Sequence, residues 1–258
     1  MSWEKHEVAG HVVEYDDDTH SYIVDGIEVP SVTQLIHRRF PKKYENIPKS
    51  ILEQAARKGT LLHETIEAAE KAEDITAFIP PAECEQEFRN YLFLKRQYGF
   101  TCMGNEILLV IPYNGQIVAA GRMDMLVSSR DGETGVADIK RTSVLDANYL
   151  SYQLTLYAIG LKYRTGVEPV FGRCIWLREE KRKYKAIPFC YDLTNALLAE
   201  AYEEVYGDED QREDNADIPI ADGTETGDRD EGSESGGQTA EGYGFVHRDE
   251  ETVEKTIS

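Results

Sequence analysis

Between Gln116 and Lys140 charged residues stand inside runs that otherwise read as buried strand. Gly121-Arg122-Met123-Asp124 interrupts the apolar run Gln116–Val127, and Ala137-Asp138-Ile139-Lys140 closes the run Gly135–Lys140. A buried strand excludes uncompensated charge. These carboxylates must therefore meet each other, a cation or a ligand. Side chains two apart on a strand share a face, so Asp138 and Lys140 form a matched pair.

The flanking pattern sets the architecture. His11–Tyr15, His20–Val24 and Ile27–Val29 alternate as a small antiparallel meander, with Asp25-Gly26 as a hairpin turn. Ser31 suits the cap of a short helix to about His37. Helical spacing predicts a helix from Ser50 to about Lys71 and another from Ala82 to Tyr98, separated by Pro80-Pro81. Strands follow at Glu106–Ile111, Gln116–Val127 and Gly135–Lys140, with turns at Tyr113-Asn114-Gly115 and Asp131-Gly132. A helix over Ala147–Tyr163, strands at Phe171–Leu177 and Tyr184–Phe189, and a helix over Asp192–Tyr206 complete the body. The expectation is an α/β (α+β) domain over 1–206, a central mixed sheet flanked by helices, with an N-terminal β-meander in 1–30.

Charge divides the chain. From Gly207 to Ser258 there are 17 Asp and Glu against 4 Lys and Arg, a net of −13, so the total of −20 leaves −7 on 1–206. A segment so acidic and so poor in large apolar residues does not offset its ordering entropy, and 207–258 reads as a disordered acidic tail. Gly242-Tyr243-Gly244-Phe245-Val246 is an apolar island within it. No uncharged apolar run approaches the roughly 18 residues of a membrane helix. The N-terminus lacks the apolar stretch of a secretory signal, so no membrane partner and a cytoplasmic location are expected. Cys84, Cys102, Cys174 and Cys190 are scattered, a spacing that suits neither zinc nor an iron–sulfur cluster.

Two carboxylates and an ammonium on adjacent strands suit phosphodiester hydrolysis. Carboxylate oxygens hold Mg²⁺ or Mn²⁺, the metal polarises the phosphate and acidifies water, and lysine stabilises developing charge. Asp-x-Lys alone is a weak signal, equally the mark of a surface ion pair. Two further features add to it. Gly59 and His63 lie one helical turn apart, which clears space beside the imidazole. Gln153 and Tyr157 lie four apart on one face of the helix after the Asp-x-Lys strand. The ordinary readings are a core histidine and a core tyrosine at a polar edge.

The order Gly-x-x-x-His, Gly-x-x-Asp, Asp-x-Lys, Gln-x-x-x-Tyr resembles the RecB-like branch of the PD-(D/E)XK nuclease superfamily. His20-Ser21-Tyr22-Ile23-Val24-Asp25-Gly26 and Val29-Pro30-Ser31-Val32-Thr33 are similar to the start of phage-encoded RecB-type nucleases and of mitochondrial genome maintenance exonucleases. The resemblance spans about residues 20 to 190. It implies a restriction-endonuclease-like core and a DNA exonuclease of phage or bacterial recombination, replication or repair. It implies metal binding by His63, Asp124, Asp138 and the Ile139 carbonyl, with Lys140 as the catalytic lysine. Gln153 and Tyr157 would contact the DNA backbone or orient the lysine, and Glu106 would be a further acidic catalytic member. The cysteines that carry an iron–sulfur cluster in Cas4 and AddB nucleases are missing, so no such cluster is expected.

Arg38-Arg39, Lys42-Lys43, Lys49 and Arg57-Lys58 are basic residues near the expected entrance, and Arg178 to Lys185 holds five more, with Lys181-Arg182-Lys183 expected in a hairpin turn. Such residues line channels that track a DNA backbone, Arg57 and Lys58 first among them; solubility is the plainer reading. The acidic tail suits docking to a recombination or single-strand-binding protein. Three alternatives stand beside the exonuclease: a structure-specific or restriction-like endonuclease on the same core, a non-catalytic DNA-binding protein with a degenerate nuclease fold, and an acidic DNA mimic. The last is disfavoured because the charge is concentrated in the tail.

Overall fold

Turn chemistry and alternation build the first sheet. Strands β1 (Trp3–Val8), β2 (His11–Asp16), β3 (Ser21–Val24) and β4 (Ile27–Val29) run antiparallel in chain order. Asp25 and Gly26 take φ of 51° and 86°, the paired positive φ of a tight hairpin turn matched to strand twist. The computed structural model describes residues 3–16, 19–40 and 48–214, with side chains as far as Gly207. Strand β1 lies outside the expected pattern. All its residues but Val8 are exposed, so it carries no alternation, and pairing with β2 alone makes it a strand.

Ser31 then caps α1 (Val32–His37). Its hydroxyl accepts the Gln34 N–H at 3.1 Å, and the Gln34 side chain accepts the Ser31 N–H at 2.7 Å. That reciprocal pair is a capping box. Helix α2 (Lys49–Glu70) follows, then one turn of 3-10 helix at Ala82–Cys84 and α3 (Glu85–Tyr98), which stops at left-handed Gly99.

The central sheet has the order β5 (Thr101–Tyr113), β6 (Gln116–Ser128), β7 (Thr134–Lys140), β8 (Phe171–Arg178), β9 (Lys181–Ile187). All neighbours are antiparallel except β7 and β8. That parallel pair needs a crossover, which is α4 (Ala147–Thr165), capped by the Asp146 carboxylate on the Tyr149 N–H. Helix α5 (Tyr191–Asp214) closes the described chain. The fold is thus a mixed sheet flanked by helices, with a separate antiparallel N-terminal sheet.

Three apolar clusters hold it. On one face Leu150, Leu154, Leu156 and Leu161 of α4 pack with α1, α5 and Val136 and Cys174 of the sheet. On the other, Leu62 and Ile66 of α2 and Phe88 and Tyr91 of α3 cover Met125, Val127, Ala137, Ile139 and Ile175. The meander lays Val13, Tyr15, Tyr22 and Val24 on Val110, Ile117 and Ala120. Each fully buried Leu or Ile contributes about 1.5–3 kcal/mol.

Two boundaries depart from expectation. Lys181-Arg182-Lys183 belong to β9 instead of a turn; the turn is Glu179-Glu180, with Glu179 at φ 53°. Ladder bonds to β8 extend to Arg178↔Lys181 and outweigh the polar composition. Helix α5 continues past Tyr206 to Asp214, so 207–214, expected as tail, are helical. The remainder of the expected tail, 215–258 with its apolar island, lies outside the described residues, as do Lys42 and Lys43. Among the described residues no helix is long and apolar enough to cross a membrane.

Candidate active site

Strands β6 and β7 pair from Ser128↔Thr134 to Met125↔Ala137 and then part. Beyond the split Asp138, Ile139 and Lys140 are paired to β8 alone, opposite Cys174, Ile175 and Trp176. The freed edge of β6 is taken up again at Ala120, whose N–H donates to Pro30 O at 3.2 Å beside a parallel bridge to Ser31. In the opening between, Asp124 replaces a strand bond with a side-chain bond: its Oδ2 accepts the Ile139 N–H at 2.8 Å. A backbone donor buried at the split is satisfied in this way.

Asp124 also marks a change of side along β6. Met123 belongs to the core under α4, whereas Met125 packs under α2 and α3. Glu106 lies on β5 between Asn105, opposite Met125, and Ile107, opposite Met123. It therefore faces Asp124, and its φ of 49° is left-handed. For a residue with a Cβ that conformation costs on the order of 1–2 kcal/mol. It is a strained position at the centre of the charged cluster.

His63 completes the group from α2, one residue along from buried Leu62. Its Nε2 lies 3.0 Å from Ile139 O, and its Nδ1 is 3.7 Å from both Glu106 Oε1 and Asp124 Oδ2. Burial opposes the charge on this imidazole, but Asp124 and Glu106 outweigh it, and the pKa is raised to about 9. The metal-free ring is thus protonated at neutral pH, with Nε2–H donating to Ile139 O and the Nδ1 side facing the two carboxylates as an ion pair. Ligand atoms of His63, Glu106 and Asp124 all lie within 4.8 Å of one another. One imidazole and two carboxylates suit a hard or borderline divalent cation.

Asp138 stands outside that trio. It is fully buried, its Oδ1 accepts from Lys140 Nζ at 2.7 Å, and its Oδ2 has no hydrogen-bond partner. Burial pushes its pKa up to about 7, with Lys140 opposing and Asp124 adding to the rise. Burial works against the Lys140 ammonium too, yet Asp138 and Asp124 hold its pKa above the ordinary lysine value. The ammonium stays charged. An orphaned carboxylate oxygen of this kind is what a cation or a water satisfies. The Ile139 carbonyl lies in the same place but is engaged by His63.

Gln153 and Tyr157 sit on α4 under the carboxylates, 6% and 4% exposed. They form the inner wall of the site, buried behind the carboxylates. The Tyr157 hydroxyl bonds Gln153; burial first, then the Asp124 charge, drives its pKa well above the ordinary value. A Cβ at Gly121 would lie 3.1 Å from the Tyr157 ring and 3.0 Å from Val32, so glycine there admits the tyrosine. Arg57 is exposed and turns toward Glu83 at 3.8 Å, and Lys58 is half-buried beside it on α2. A Cβ at Gly59 would meet nothing within 4 Å, so the space one turn before His63 is open. Arg38 and Arg39 pair with Glu204 and Glu200 of α5.

Two residues join the site without having been expected there. The Arg122 guanidinium lies 4.5 Å from the Tyr15 ring and 4.0 Å from Glu106 Oε2. Tyr149, hydrogen-bonded to Thr33 and pushed up by burial, feels the Lys140 charge. Both contacts join elements distant in sequence, and no local pattern announces them. A cleft of about 570 Å³ opens beside Glu106, lined also by Tyr15, Asn105, Arg122 and Arg164.

No protein-family model matches the sequence, and no curated protein matches it. Among solved structures the chain is similar to the crystal structure of SSO0001, at 15% identity over 69% of this chain and 76% of that one, with a TM-score of 0.37.

Proposed function

We propose that this chain is a divalent-metal-dependent deoxyribonuclease with a restriction-endonuclease-like core of the RecB-like type, acting as an exonuclease in phage or bacterial DNA recombination, replication or repair. The observation that carries the reading is the split between β6 and β7. There Asp124 of β6 bridges to Ile139, and His63, Glu106, Asp138 and Lys140 converge on it from a helix and two further strands. His63, Glu106 and Asp124 would hold Mg²⁺ or Mn²⁺, and the free oxygen of Asp138 is the next donor. Such an ion neutralises phosphate charge and acidifies water.

The protein's own groups divide the remaining work. Asp124 keeps the split strands in register while presenting its carboxylate to the opening. Lys140 retains its proton at Nζ, so it serves as a hydrogen-bond donor to negative charge building on a phosphate, not as a base. Asp138 fixes that ammonium at 2.7 Å. The wall of Gln153 and Tyr157 keeps water away from the rear of the pair. The proposed setting is the cytoplasm of a bacterial or phage-infected cell, with the acidic C-terminal segment as a docking element for a recombination or single-strand-binding protein.

The test is digestion of end-labelled single- and double-stranded DNA with Mg²⁺ or Mn²⁺, beside a closed circular plasmid. Metal-dependent loss of ends with the circle intact is the expected result. Cutting of the circle would move the assignment to an endonuclease. No cleavage of any substrate with either metal would leave a binding protein on a nuclease-like fold. Full activity in excess EDTA would remove the metal from the reaction.

A further inference from the structure

Edge strand β9 spends its two faces differently. Arg182 and Tyr184 point toward α3. Arg182 donates to Asn90 Oδ1 at 2.9 Å and covers the Phe93 ring at 3.8 Å, and Tyr184 stacks on Phe100 at 5.0 Å. Lys181, Lys183 and Lys185 alternate with them and therefore share the opposite face. All three are exposed. Of the seven other described lysines, Lys5, Lys49, Lys71, Lys95, Lys140 and Lys162 each have a carboxylate partner, and Lys58 alone has none. Among the described residues none of the three on β9 forms an ion pair.

The same face leads to the site. Lys140 of β7 is opposite Trp176 of β8, and Trp176 is opposite Lys183 of β9. Asp138, Cys174 and Lys185 form the adjoining row. The Lys183 ammonium lies 5.8 Å over the Trp176 ring, whose Nε1–H is fixed on Thr142 O at 2.8 Å. Two strand spacings separate Lys140 from β9, about 10 Å, and alternate residues along β9 are about 7 Å apart. That interval is comparable to the spacing of phosphates in an extended strand.

We infer that Lys181, Lys183 and Lys185, with Trp176, form a track that holds the sugar–phosphate backbone of a single nucleic-acid strand leading to Lys140. The inference rests on the nuclease reading for what happens at Lys140, but the binding surface is tested separately. Three unpaired ammonium groups at regular intervals match a polyanion. A flat indole in the row offers a stacking face to an unpaired base once Lys183 moves to a phosphate. Lysine on an edge strand also blocks sheet-to-sheet association. That role requires neither absent carboxylate partners nor an aromatic residue in register with the candidate active site.

The experiment is fluorescence anisotropy of a labelled single-stranded oligonucleotide over a salt series, with Ca²⁺ as the divalent ion. Each phosphate contact contributes about 0.7 to the slope of log affinity against log salt for single strands. The K181A/K183A/K185A variant should lower that slope by about 2, and Lys162→Ala, on another surface, should leave it unchanged. In a Trp3→Phe background Trp176 is the sole tryptophan, and its emission should be quenched as the strand binds. An unchanged slope in the triple variant, or no response of Trp176, overturns the track. An equal loss of slope on a blunt duplex without quenching overturns its single-strand character. A wild-type protein that binds with the expected slopes but cleaves nothing overturns the nuclease reading and upholds the track. One that binds no single strand overturns the track and leaves the nuclease reading to the duplex digestion.

Discussion

The Asp124 carboxylate accepts the Ile139 N–H at 2.8 Å and so joins two strands at the point where their ladder ends. A group with this position has two jobs, one in the fold and one in the chemistry. The two separate by substitution. Asp124→Asn retains an oxygen that accepts the Ile139 N–H, so thermal stability should change by less than about 1 kcal/mol. Asp124→Ala leaves the donor unsatisfied and should cost about 1–3 kcal/mol. Both variants should lose metal-dependent cleavage by at least about a hundredfold. Equal stability of the Asn and Ala variants in thermal unfolding would show that the strand-bridging bond contributes nothing.

His63 is protonated in the metal-free protein, with a pKa raised to about 9, whereas a metal ligand must be neutral. Metal binding should therefore release about one proton, and apparent affinity should rise about tenfold per pH unit up to about 9. Calorimetry in two buffers of different ionisation enthalpy reads the proton directly. The metal-free fold behaves in the opposite sense. The raised pKa adds stability that is fully present below the unfolded value of about 6.5 and lost as pH climbs through about 9. A metal affinity independent of pH between 6 and 9 would remove His63 from the ligand set.

Lys140→Ala should abolish cleavage, and its effect on the fold should depend on pH. Asp138 is fully buried and already raised to about 7 with the ammonium beside it. Without Lys140 it rises further. A raised carboxylate binds more protons folded than unfolded, so stability falls as pH rises from about 4 through the folded pKa. The variant should be near wild-type stability at pH 5 and weaker by on the order of 3 kcal/mol at pH 8. The double variant Asp138→Asn/Lys140→Ala should lose that pH dependence. Chemical denaturation across the range measures it; a pH-independent deficit would mean that Asp138 never carries the lone charge.

Gly59 lies inside α2 with open space beyond its missing side chain. Gly59→Ala should stabilise the helix by about 1 kcal/mol. If the space one turn before His63 admits a phosphate or its metal, the same change should lower kcat/KM several-fold. A gain in melting temperature with unchanged kinetics would mark the glycine as incidental.

Local chemistry was legible in the sequence wherever a few neighbouring residues decide the outcome. Asp25-Gly26 and Asn114-Gly115 announced hairpins, because positive φ is open to few residues. Ser31 announced a helix start, because a cap closes within four residues, and the structure added Gln34 as its reciprocal partner. Asp124, Asp138 and Lys140 stood out as charges in apolar strands. Everything that depends on where strands separate was decided by the tertiary structure. The parting of β6 and β7 brings Asp124 onto Ile139, and the left-handed turn of Glu106 aims a carboxylate at His63, which arrives from α2. Gln153 and Tyr157, spaced to be neighbours, proved to be buried wall because α4 packs flat on that face. Lys181-Arg182-Lys183 read as a turn by composition and became a strand by pairing with β8. A turn or a cap is fixed by bonds within one short segment. A ladder register and a side-chain cluster are fixed by partners dozens of residues away, whose contribution no local pattern contains.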